Sequence, residues 1–334
     1  MYRNLLIPLI YLACIAGSHG DGGSAAFRQG DFARAAELFG ARAAQGDAVA
    51  QNNLGVMYLK GHGVAVDYPR ARELFLQAAE KNLPGAQFNL GIMNLRGYGQ
   101  AADPTQAATW FERSAEQGDR EAQFFLGLLQ FKGHGVTRDP AAARRWFAAA
   151  AEAGLAAAQY NLAMLLLRGE GGDADEDGAL HWLEAAARQQ HPQARMQMAR
   201  IHLAHGDEPE HLAAAAALLR QLADGGDGEA QMQLGLMYVF GRGVPADGEE
   251  GRFWLRQAAL QGVKEAQMNL GTIFARGIGT AADLVQAYAW LSLAAEASAV
   301  ARDARDEIET RISPTELSAA QSLTEELRGR QHNP

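Results

Sequence analysis

DAVAQNNLGVMYLKGHGVAVD, residues 47–67, decides how this chain folds. Ala50, Leu54, Met57 and Gly61 stand at i, i+4, i+7 and i+11, the spacing of one face of an α-helix. The spacing predicts a helix from about Asp47 to Lys60, and Gly61-His62-Gly63 supplies a turn that stops it. Asp67 then opens a second helix, so the unit reads as a hairpin.

The pattern repeats outward from this stretch. Ala50 is followed by Ala86, Ala122, Ala158, Ala194, Ala230 and Ala266, each step being 36 residues. Around them stand AQNNLG, AQFNLG, AQFFLG, AQYNLA, ARMQMA, AQMQLG and AQMNLG. The second helix starts in register at Asp31, Asp67, Asp103, Asp139, Asp175, Asp247 and Asp283; Pro104 and Pro140 follow two of these, as N1 prolines follow an N-cap. Gly46, Asn82, Gly118, Gly154, Gly226 and Gly262 mark its end. All five tryptophans (Trp110, Trp146, Trp182, Trp254 and Trp290) fall in one slot of this helix, where truncation is expected to cost about 3–5 kcal/mol. A lone hairpin cannot bury both faces, so the expected fold is all-α: a right-handed α-solenoid of 36-residue hairpins, an α/α superhelix. Its 334 residues, 48% of them hydrophobic, divide into a signal peptide (1–20), a short N-terminal unit (24–46), seven repeats (47–298) and capping helices (299–334). A net charge of -9 argues against a nucleic-acid partner.

AQFNLG, a G-x-G turn, Asp and then A-x-x-W-F-x-x-A-A resemble the Sel-one-like repeat (SLR), a relative of the tetratricopeptide repeat, over residues 24–297. AYAWLSLAAE (287–296), a linker helix and SPTEL also resemble that family's ending; Ser313 and Glu316 read independently as a capping box. The resemblance implies an adaptor that holds partner proteins on a concave surface, in bacteria often exported and tied to host contact, envelope processes or signalling. A disulfide-rich subgroup of the family binds penicillins, but this chain lacks the cysteine pairs between helices.

Met1 to Gly20 carries one cation at Arg3, an apolar run from Leu5 to Ala16, then small and polar residues, the pattern of a secretory signal peptide. The run is too short to span a membrane, which takes roughly 20 residues. Leu12-Ala13-Cys14 resembles a lipoprotein box, although Tyr11 stands where that motif has Leu. The expected destination is therefore the periplasm or the outside, with lipid anchoring through Cys14 as the alternative and the only route to a membrane.

Residues that recur in every copy serve the fold, so Gln51, Gln87, Gln123, Gln159, Gln231 and Gln267 read as structural. Recognition is expected from the stripe through slots 49, 53, 56 and 60 of the first helix, taken as solvent-facing. Its second slot reads Asn53, Asn89, Phe125, Asn161, Gln197, Gln233 and Asn269; its last reads Lys60, Arg96, Lys132, Arg168, Ala204, Phe240 and Arg276. Amides beside cations suit an extended protein or peptide partner, acidic chains included, because amides pair with backbone and cations with carboxylates. The plainer reading has cations complementing helix dipoles and Asn bridging adjacent repeats.

The fifth unit departs from the pattern: His202, His205, Glu208, Glu210 and His211 replace the usual turn and Asp cap. His202 and His205, at i and i+3, could share a metal, but two further placed ligands are not evident, and the default is solvated side chains at a loosened turn. No metal or cofactor is assigned. The sequence holds no G-x-S-x-G and no H-E-x-x-H, so an exported scaffold without catalysis is the leading expectation. A cell-wall-active enzyme or β-lactam binder is one alternative, and a secreted host-directed effector the other.

Overall fold

Asp47 accepts the Ala50 N–H at 3.0 Å, and the helix it caps runs Ala48–Lys60 to Gly61, which turns left-handed at φ 75°. The turn that follows is closed by the Asp67 N–H on the Tyr58 carbonyl (3.0 Å), and Asp67 then caps Tyr68–Glu80 through the Arg70 N–H (2.9 Å). This is the predicted hairpin, and it recurs along the chain.

The computed structural model describes residues 22–332, in which every regular element is an α-helix. The proposed signal peptide and Cys14 lie outside the described residues. Two units divide the chain between Ala185 and Ala186. The first holds α1 (Gly22–Arg28), α2 (Phe32–Ala44), α3 (Ala48–Lys60), α4 (Tyr68–Glu80), α5 (Pro84–Arg96), α6 (Pro104–Ala115), α7 (Arg120–Lys132), α8 (Pro140–Glu152) and α9 (Ala156–Arg168). Helix α10 (Glu176–Arg188) runs across the division. The second unit holds α11 (Pro192–Ala204), α12 (Pro209–Asp224), α13 (Gly228–Phe240), α14 (Gly248–Leu260), α15 (Lys264–Arg276), α16 (Leu284–Ala294), α17 (Ala299–Glu309) and α18 (Pro314–His332). Consecutive helices pack side by side from α1 to α9 in the first unit and from α11 to α17 in the second, as an α-solenoid requires.

Two devices hold each hairpin to its neighbour. The recurrent Gln of the odd-numbered helix is buried and donates to a carbonyl at the end of the preceding helix: Gln51 to Ala43, Gln123 to Ala115, Gln159 to Ala151, Gln231 to Ala223 and Gln267 to Ala259, at 3.1–3.3 Å. Each of these carbonyls also accepts a backbone N–H at its own helix end, so the amide adds a second bond that joins one repeat to the next. Gln87 departs, donating instead to Asn82 Oδ1 (3.1 Å), and in the fifth repeat Arg195 Nε reaches the Ala187 carbonyl at 3.4 Å. The second glycine of each G-x-G turn is the other device. A Cβ on Gly135 would stand 2.4 Å from the carbonyl carbon of Pro104, at the start of the previous repeat's second helix, so only glycine lets the turn rest there.

The core corrects one expectation. Trp254 and Trp290 are buried, but Trp110, Trp146 and Trp182 are only half-buried. The residue after the Trp slot is sealed in the core of each unit: Phe39, Phe75, Phe111, Phe147 and Leu183 in the first, Leu219, Leu255 and Leu291 in the second, each at most 1% exposed. An α-helix turns about 100° per residue, so a step of one position moves a large side chain from the rim to the seam.

In the fifth repeat His191 takes the first cap, its Nδ1 accepting the Ala194 N–H at 3.4 Å. Helix α12 starts early, after Glu208 with no side-chain cap bond, and is 16 residues long against 13 in α14. Helix α18 starts at the expected capping box, in which the Ser313 N–H donates to Glu316 Oε2 (2.8 Å) and the Glu316 N–H to Ser313 Oγ (3.3 Å). It lies against α16 and α14, burying Leu327 and donating from Gln331 Nε2 to the Ala259 carbonyl (2.9 Å).

Candidate functional site

The left-handed glycine that follows α3, α5, α7, α9, α13 and α15 leaves the last residue of each helix at the surface. Lys60, Arg96, Lys132, Arg168 and Arg276 thus end α3, α5, α7, α9 and α15, and all five are exposed. Arg168 has a carboxylate nearby, Glu170 Oε1 at 3.6 Å. Each also lies in its helix's last turn, where a cation meets the negative end of the dipole, worth about 0.3–1 kcal/mol.

The amide slot behaves differently. Asn53 and Asn89 are 2% and 0% exposed and Phe125 is 6% exposed, so these three do not face solvent as the stripe predicted. Neighbouring helices cover them. Asn89 Nδ2 donates to Asn52 Oδ1 at 2.9 Å, a bridge between adjacent repeats, and the Phe125 ring stacks on Phe111 at 5.2 Å. Asn161 and Asn269 are half-buried, and Asn161 Nδ2 donates to the Ala157 carbonyl of its own helix (2.7 Å). An outward amide ladder therefore does not exist over the first three repeats. Lys60, Arg96 and Lys132 are exposed there.

In the second unit the same stripe opens into a cavity of about 390 Å³, lined by Arg200, Leu203, Gln233, Leu236, Met237, Phe240 and Arg242. Gln233, Leu236 and Phe240 are slots 53, 56 and 60 carried forward five repeats, and Arg200 is slot 56 carried forward four. Phe240, which the cation ladder passes over, is 58% exposed on an apolar floor. Arg200 pairs with Glu229 (2.7 Å) and Arg242 with Asp207 (2.8 Å), so two guanidiniums flank that floor on exposed, exchangeable ion pairs. The sequence placed these residues in register, but an aromatic among cations reads there as an interruption. Its exposure beside the apolar floor makes it a candidate anchor.

The histidines separate. His62 stacks on Phe32 (4.9 Å) within the first unit's core rim, whereas His202, His205 and His211 come together at the α11–α12 turn. Among the described residues no group of three or more His, Cys, Asp or Glu side chains is arranged to hold a metal ion, and no helix is long and apolar enough to cross a membrane.

The Sel1 repeat profile matches residues 48–83, 84–119, 120–155, 156–191, 228–263 and 264–298; the α11–α12 pair falls between the matched segments. Two solved structures are similar over most of the chain. A Sel1 repeat protein from Oxalobacter formigenes is 31% identical with a TM-score of 0.64, covering 86% of this chain and 87% of its own. A protective antigen present in uropathogenic Escherichia coli strains, displaying an SLR fold, is 28% identical with a TM-score of 0.57, covering 92% of this chain and 75% of its own. No curated protein matches in sequence.

Proposed function

Because the chain belongs to the Sel1 repeat family, whose members are generally protein-interaction scaffolds, we propose that it is an exported, non-enzymatic adaptor that holds a protein or peptide on its first-helix stripe. The observation that carries this reading is the open apolar cavity around Phe240, flanked by Arg200 and Arg242. It suits a segment with a bulky apolar side chain and carboxylates on either side: the side chain fills the floor, and the carboxylates displace Glu229 and Asp207 from the arginines. Lys60, Arg96, Lys132, Arg168 and Arg276 extend the same preference for an acidic partner along the chain. Export to the periplasm or beyond rests on the pattern of residues 1–20, and the similar protein that is a protective antigen supports it.

A photo-crosslinking residue in place of Phe240 tests the reading, with one in place of exposed Val300 as control. A distinct adduct at 240, absent at 300 and reduced by Arg200→Glu with Arg242→Glu, is expected. Equal adducts at both positions sink the model. Lys60→Glu, Arg96→Glu and Lys132→Glu together should weaken capture of the same partner without unfolding the chain.

A further inference from the structure

In the repeats that keep the Asp cap, the turn after the first helix is closed by one backbone hydrogen bond across nine residues: Asp67 to Tyr58, Asp103 to Asn94, Asp139 to Gln130, Asp175 to Leu166, Asp247 to Tyr238 and Asp283 to Phe274, at 2.8–3.0 Å. The same pair of slots in the divergent repeat holds His202 and His211, and there the closure is made by side chains. Nδ1 of His202 stands 3.0 Å from Nδ1 of His211. The ring of His205 stacks on that of His211 with centroids 4.4 Å apart, and Glu208 Oε2 lies 3.4 Å from His211 Nε2.

We propose that this imidazole clasp is a binding site for a divalent transition-metal ion of the zinc class. Two imidazole nitrogens that ligate one such ion tetrahedrally at roughly 2.0–2.1 Å each stand about 3.3–3.4 Å apart, a few tenths of an ångström more than the 3.0 Å found here. A single proton now bridges the two nitrogens and stands where the ion would. When the metal enters, the ring that carries this proton moves it to its own Nε2, and both Nδ1 lone pairs then face the ion. For His211 the Nε2–H so formed points to Glu208, the carboxylate–histidine–metal arrangement that fixes a ligand's tautomer and raises its basicity. His205 offers a third nitrogen from the exposed side, and water completes the shell. No third ligand is yet in place, so the ion itself must draw His205 in. His202 lies in the last turn of α11, where carbonyls point outward and favour a cation, while Glu208 and Glu210 offset the positive end of α12 at which His211 stands.

The experiment uses the full chain and ZnCl2 or NiCl2 alone as probe, followed by calorimetric titration at pH 7.5 and by competition with a chromophoric chelator. Expected is one equivalent bound, weakened about tenfold or more in both His202→Gln and His211→Gln. Helical circular dichroism of each variant checks the fold, and Glu208→Gln, which leaves both ligands in place, should weaken binding less than either. Binding equal in wild type and both histidine variants, or no binding in the folded wild type, overturns the proposal. His62→Gln with His134→Gln should change nothing; if it abolishes the titration, the ion sits elsewhere and the clasp is not a site.

Discussion

Gly91 of α5 lies so close to Phe111 of α6 that a Cβ added to it would stand 2.5 Å from the ring's Cε1. The same contact joins Gly55 to Phe75 (2.7 Å) and Gly127 to Phe147 (2.8 Å). Where the first helix carries Ala163 or Ala199 instead, the second carries Leu183 or Leu219. In the last two repeats Gly235 and Gly271 face Leu255 and Leu291, so a ring in the core slot meets glycine, whereas an aliphatic side chain meets alanine or glycine. The packing seam of the hairpin is thus a single volume shared by two residues.

Gly91→Ala should therefore destabilise by about 1–3 kcal/mol, the usual cost of overpacking, despite alanine's better helix propensity. Gly40→Ala should do the opposite, stabilising by roughly 0.5–1 kcal/mol, because nothing lies within 4 Å of the added carbon in α2. Adding Phe111→Leu to Gly91→Ala should recover part of the loss. Urea unfolding of the three variants and the wild type measures all of these, and an additive double mutant would contradict a shared volume.

Truncation separates the two neighbouring aromatics of α6. Phe111→Ala removes a side chain that is 0% exposed and should cost about 3–5 kcal/mol. Trp110→Ala removes one that is half-buried, with the Arg113 guanidinium 4.9 Å from its ring centre, and should cost clearly less. Equal losses would restore the tryptophan slot to the role its regularity suggested.

That reversal shows where the sequence was legible. Period, caps and turns were readable because each depends on local chemistry: Asp at 31, 67 and 103, glycine after Lys60, the box at Ser313. Depth was not. Trp110 and Phe111 differ by one step on the helix, and only the neighbouring repeat decides which of them is sealed. Asn53 and Asn89 failed for the same reason: a wheel drawn on one helix has no knowledge of the helices beside it. The histidine clasp lay nine residues apart in a stretch whose helix limits had shifted, so the i and i+3 pair His202 and His205 was visible and the closer pair, His202 and His211, was not.

Two helix caps in equivalent slots should titrate in opposite directions. Burial pushes the Asp119 carboxyl up to about 6, with Glu121 adding repulsion and the Ala122 N–H only partly offsetting both. Burial also pushes Asp47 up, but the Ala50 N–H and the Arg42 guanidinium (2.5 Å) outweigh it and hold the group below its ordinary value. A carboxyl that keeps its proton more tightly when folded stabilises the fold below the unfolded value, and that contribution is lost as pH rises from about 4 to about 6. For Asp119 the loss is up to roughly 3 kcal/mol. Asp119→Asn keeps a capping oxygen without the titrating proton, so it should gain on the wild type across this window. Asp47 contributes in the opposite sense, at neutral pH and progressively less as pH falls below about 4, so Asp47→Asn should lose stability at pH 7. Urea midpoints from pH 3.5 to 7.5 compare the three chains; parallel curves would refute the assignment.

The end of each second helix from α2 to α14 passes through a left-handed residue, and two of these are not glycine: Asn82 at φ 62° and Gln190 at φ 64°. For a residue with a Cβ that conformation costs roughly 1–2 kcal/mol, less for Asn. Gln190 is exposed, and its left-handed backbone is followed by the Gln190 N–H on the Ala187 carbonyl (2.9 Å), a bond that any residue supplies. Gln190→Gly should accordingly stabilise by about 1 kcal/mol once the greater freedom of glycine in the unfolded chain is set against the relieved strain. Asn82→Gly relieves less strain and removes more. Asn82 Oδ1 is the acceptor for buried Gln87 Nε2, whose own Oε1 already accepts from Gln117 at 2.7 Å, so the variant leaves a buried donor unpaired. An unpaired buried donor costs about 1–3 kcal/mol, which outweighs the gain, and Asn82→Gly should come out destabilised. The two substitutions are chemically similar and act at equivalent slots, yet thermal unfolding should move in opposite directions. The same sign for both would mean that the amide bond to Gln87 contributes nothing to how the first and second hairpins are joined.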